Sequence, residues 1–75
     1  MSGQISPPRI ARYDVSFEFR ESHVFTSLKA TVMRNGHPEE VALLTDEASS
    51  DMTEANEVMQ DKMGKYNTTI ARLTR

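Results

Sequence analysis

The chain contains no cysteine. Disulfides and thiolate metal sites are therefore excluded, and the absence fits a reducing compartment. Histidine is scarce: His23 and His37 are the two present, too few for a convincing metal site. There is neither a cysteine nucleophile nor a glycine-rich phosphate loop. No apolar run approaches membrane-spanning length, and the N-terminus lacks the apolar stretch of a signal peptide. The formal net charge of −2 gives no global field to attract nucleic acid or an anionic membrane. No internal repeat is present. These absences lead to the expectation of a soluble, cytoplasmic protein that is not an enzyme and needs no metal or cofactor.

Seventy-five residues make one small domain. A chain of this size buries only about 60–65% of its unfolded surface, so outside support, from self-association or a partner, is expected. Residues 1–11 carry Gly3, Ser6, Pro7 and Pro8 with little apolar content, which predicts a flexible N-terminal arm. The folded domain is expected over 12–75.

What is present is strong patterning. Tyr13, Val15, Phe17 and Phe19 alternate with Asp14, Ser16, Glu18 and Arg20, the signature of a half-buried strand. A second strand is predicted over Val24–Arg34, with Val24, Leu28, Ala30 and Val32 on its apolar face. Asn35-Gly36 follows, the strongest short hairpin signal, because a two-residue type I′ turn needs positive φ at both positions. The turn fixes the register of a third strand ending at Leu44. Arg34 faces His37, Val32 faces Glu39, Ala30 faces Val41 and Leu28 faces Leu43.

The last third is predicted to be one amphipathic helix, roughly Asp46 to Thr74. Met52, Met59, Tyr66 and Leu73 fall seven apart, and Ala55, Met63 and Ile70 complete the stripe. Acids crowd its first half, and Lys62, Lys65, Arg72 and Arg75 close it, complementing the helix dipole. Thr45 is the favoured N-cap, and Asp51 with Glu54 is the competing start. Gly64 costs about 1 kcal/mol inside a helix. The alternative is that it ends the helix and releases a fourth strand, but the spacing favours a continuous helix.

The expected fold is α+β: a three-stranded antiparallel β-meander followed by one long C-terminal α-helix (β-β-β-α) packed on one face of the sheet. The expected core is Tyr13, Val15, Phe17, Phe19, Val24, Leu28, Ala30, Val32, Val41, Leu43, Met52, Ala55, Met59 and Met63.

The function expected is that of a small protein-binding module in the style of acidic regulators, adaptors and inhibitors, phage-encoded ones among them. The face for a larger, basic partner comprises Glu39, Glu40, Asp46, Glu47, Asp51, Glu54, Glu57 and Asp61. A helix of nearly thirty residues would span about 43 Å and overhang strands of about 27–37 Å. Tyr66, Ile70 and Leu73 would then form the interface of a homodimer, reinforced by the open edge of the first strand. The alternative is an accessory protein that binds nucleic acid through Arg9, Arg12 and the basic helix end. Binding of nucleic acid is not expected, and neither is contact with a membrane.

Overall fold

A computed structural model of the chain describes residues 7–73. Three antiparallel strands, β1 (Arg9–Arg20), β2 (His23–Arg34) and β3 (His37–Ser49), form one sheet in the order β1-β2-β3. A single helix, α1 (Met52–Leu73), follows. This is the β-β-β-α arrangement expected from the sequence. β1 begins at Arg9, so residues 9–11 belong to the sheet and not to the expected arm. Met1–Ser6 lie outside the described residues.

Both hairpins close through two-residue turns with positive φ at each position. Asn35 and Gly36 have φ of 51° and 80°, as the sequence requires. Glu21 and Ser22 adopt the same conformation at 52° and 63° without residues suited to it. Register holds them there: Phe19 faces Val24, Val15 faces Leu28 and Tyr13 faces Ala30, so the apolar residues of β1 meet those of β2.

The second hairpin keeps the expected pairs Arg34–His37, Val32–Glu39 and Ala30–Val41, but Leu28 faces Leu44, not Leu43. The register shifts between Lys29 and Leu28 and again between Leu28 and Thr26. Each shift inserts a residue into β3, a β-bulge. Asp46, at the second shift, has φ of 46°, and its N–H donates to Ser27 Oγ at 3.2 Å. The strand therefore continues past Leu44 to Ser49, and Thr45 is not a helix cap.

Asp51 is the cap. Its Oδ1 accepts from the Glu54 N–H at 2.9 Å, and Glu54 Oε1 accepts from the Ser50 N–H at 2.7 Å. The first bond satisfies a donor that the first helical turn leaves free, and the second ties down the residue before the cap. The helix runs unbroken through Gly64, and no fourth strand forms among the described residues.

Helix and sheet enclose two adjoining clusters. Leu28, Leu44 and Met59 form one, flanked by Tyr13, Phe17, Leu43, Val58 and Met63. Ala30, Val32 and Ile70 form the other, flanked by Ile10, Tyr13, Val41, Leu43 and Tyr66. Burying a large apolar side chain contributes about 1.5–3 kcal/mol. Val15, Phe19 and Met52, expected in the core, are exposed. For Val15 and Phe19 the reason is width: a helix about 10 Å across covers roughly two strands spaced about 4.8 Å apart. β1 lies at the margin. Tyr13 still reaches the helix, donating from its hydroxyl to Asn67 Oδ1 at 2.7 Å with the Met63 carbonyl 3.4 Å away. Two buried hydroxyls, Thr26 Oγ1 and Ser49 Oγ, have no partner among the described residues.

Candidate functional site

The expected overhang of helix beyond sheet is reversed. Twenty-two helical residues span about 33 Å at 1.5 Å each. Strands of 12 and 13 residues span about 40 Å. Ile70 is only 6% exposed and packs within its own chain on Ala30 and Val32. Tyr66 is half-buried against the same cluster, and Leu73 alone of the three stands open at 54%. Tyr66, Ile70 and Leu73 therefore do not form a free patch. The three do share one helical stripe, but β3 is longer and α1 shorter than the sequence pattern predicts.

The acidic residues do not share one face. Glu39 lies opposite Val32 on the helix side of the sheet and is 3.3 Å from Arg34. Glu40 lies opposite Thr31 on the other face. Asp46 stands 3.4 Å from Arg20, whose guanidinium also contacts Glu18 at 2.6 Å and stacks 4.0 Å over the Phe25 ring. Glu47 faces Thr26 near the end of β3. Asp51 and Glu54 are occupied in capping the helix. Asp61 pairs with Lys65 at 3.0 Å.

Order does emerge on α1. Glu54, Glu57 and Asp61 recur at three and four residues, which places them in one line. The line lies opposite the buried Ala55 and Met59, and all three are exposed. The ion pairs around it are open to solvent, and such pairs contribute about 0–1 kcal/mol. Glu57 and Asp61 are therefore open to an incoming cation at little cost in fold stability, while Glu54 on the same line is held by the Ser50 N–H.

The basic residues are divided. Arg9 and Arg12 face Met33 and Thr31 on the sheet face away from the helix, and Arg12 is 3.2 Å from Asp14. Lys62, Lys65 and Arg72 ride on the helix itself. The nucleic-acid surface expected from Arg9, Arg12 and the helix end is thus split between two layers, and Arg75 lies outside the described residues.

His23 and His37 begin β2 and β3 and stand at opposite ends of the sheet. Among the described residues, no group of histidine and carboxylate side chains converges in a metal-holding arrangement. An open cleft of about 390 Å³ lies where β1 turns into β2 beside the helix N-terminus. Phe19, Val24 and Met52 form its apolar wall, with Arg20, Glu21, His23 and Asp51 among the other lining residues. The cleft is not legible in the sequence, where the spacing of Phe19 and Met52 predicts core positions. Phe19 is 71% exposed. Among the described residues no helix is long and apolar enough to cross a membrane.

Compared with protein-family models, curated proteins and solved structures, the chain matches none.

Proposed function

We propose that this protein is a small non-enzymatic protein-binding module, a regulator, adaptor or inhibitor that docks on a larger, basic partner. The observation that supports this reading is the line of Glu54, Glu57 and Asp61 on the solvent side of α1. It presents carboxylates from a rigid element at the spacing of successive helical turns, a pattern that matches cationic side chains on an opposing surface. The separation of the two histidines and the openness of the cleft favour binding over catalysis.

Charge reversal tests the proposal. Glu57→Lys with Asp61→Lys leaves the capping pair Asp51–Glu54 intact, so the fold should persist. Affinity capture from the source cells with mass spectrometry identifies what the wild type retains. The recombinant partner should then bind the wild type with a salt-dependent dissociation constant and the reversed variant at least about tenfold more weakly. Equal binding by both forms, or a partner surface that is acidic, would refute the assignment.

A further inference from the structure

We propose that β1 is a self-association edge, pairing antiparallel with β1 of a second copy about a two-fold axis through Phe17. β1 lies at the edge of the sheet. The turn at Glu21-Ser22 has two residues, so Arg20 and His23 form a hydrogen-bonded pair. Alternation from that pair directs the backbone groups of Arg20, Glu18, Ser16 and Asp14 towards β2. Those of Phe19, Phe17, Val15 and Tyr13 point outward. Along this same stretch Val15 is 44% exposed and Phe19 still more so. Between Arg12 and Arg20 there is no proline, no lysine and no register shift, and the charges that guard this edge, Asp14 and Glu18, lie on the face away from the helix. Unmet backbone groups and unmet apolar side chains coincide.

The charge pattern identifies a second copy as the occupant. Antiparallel self-pairing that keeps the helix-side residues together allows three central registers. Centred on Ser16, Asp14 meets Glu18 and Arg12 meets Arg20, which is repulsive throughout. Centred on Val15, Phe19 meets Ala11, where the register shift between Ile10 and Arg12 interrupts the strand. Centred on Phe17, Asp14 meets Arg20 and Val15 meets Phe19, each twice by symmetry. That register sets Asp14 against Arg20, leaves Glu18 opposite the uncharged Ser16, and covers both exposed apolar side chains. It joins the two sheets into one, with both helices on the same face, and it does not use the acidic line of α1.

Sedimentation equilibrium of the full chain at high micromolar concentration is the test. The wild type should sediment as a dimer. Asp14→Arg and Arg20→Asp should each raise the dissociation constant about tenfold, because two attractive pairs become repulsive. The double variant Asp14→Arg/Arg20→Asp should return close to the wild-type value. Rescue separates the contact between copies from local damage, since Arg20 also serves Glu18 and Asp46 within the chain, and that damage persists in the double variant. Phe19→Lys should be monomeric with unchanged circular dichroism. A monomeric wild type, single reversals without effect, or a double variant no better than the singles would each overturn the proposal.

Discussion

The two hairpins of this sheet use the same turn and arrive at it by different routes. Asn35-Gly36 and Glu21-Ser22 both hold two successive residues at positive φ. In the second hairpin the turn residues tolerate that conformation, so the local sequence specifies the turn and the turn sets the register of the neighbouring strands. In the first, glutamate and serine occupy a region that costs most side chains about 1–2 kcal/mol each. What holds them is the match of Phe19 to Val24, Val15 to Leu28 and Tyr13 to Ala30. One turn is a cause of its strands, and the other is a consequence of them.

Substitutions at the turns should separate the two cases. Gly36→Val forces a β-branched residue to φ near 80° and should destabilise the domain by about 2 kcal/mol in urea melts. An unchanged midpoint would show that the second hairpin, too, is held by its strands. Glu21→Asn with Ser22→Gly should move the opposite way, stabilising by about 1 kcal/mol, because strain is relieved where nothing local supplied the conformation. A loss of stability there would mean that Glu21 or Ser22 makes a contribution that its backbone cost conceals.

Gly64 provides the control. It lies in the helix with no atom within 4 Å of an added Cβ. Gly64→Ala should therefore raise stability by about 0.5–1 kcal/mol. The same gain of a methyl group at Gly36 should lower it, and the contrast in sign is the measurement.

The smallest effect concerns how the outer strand of the first hairpin is fastened. Tyr13→Phe removes the hydrogen bond to Asn67 and should cost about 0.5 kcal/mol at neutral pH. Burial, and then the neighbouring Tyr66, hold the Tyr13 phenol above its ordinary value of 10.0. The folded state therefore keeps its proton at a pH where the unfolded chain has begun to lose it. That contribution is intact below pH 10 and disappears as pH rises through the folded value. The phenylalanine variant should show a shallower alkaline decline in thermal melts. An identical decline in both proteins would assign it to other groups.

The same contrast explains what could be read from the chain beforehand. Features written within a few residues were legible: the Asn35-Gly36 turn, the alternation from Tyr13 to Phe19 and the helical stripe from Ala55 to Ile70. Features that depend on what lies opposite were not. Leu44 enters the core in place of a simple Leu28–Leu43 pair because β3 carries extra residues. Phe19 reads as core by alternation, yet the helix is too narrow to reach it. Asp51 displaced Thr45 as the cap once β3 extended to Ser49. For the candidate site, the sequence identified the acids but not their distribution. Strand alternation alone separates Glu39 from Glu40 and helical spacing alone aligns Glu54, Glu57 and Asp61, whereas the bulges that decide where Asp46 and Glu47 lie depend on the pairing with β2.

The two bulges of β3 act as a pair of compensating frameshifts. Val41 faces the helix; the first extra residue puts Leu44, an even position, inward; the second returns Glu47 and Ser49 to the odd phase. A one-residue deletion at either bulge should therefore remove that bulge and leave the pairs Thr26–Glu47 and Val24–Ser49 in place. The bulges are where this strand absorbs single-residue changes of length without inverting the Val24–Ser49 end of the sheet.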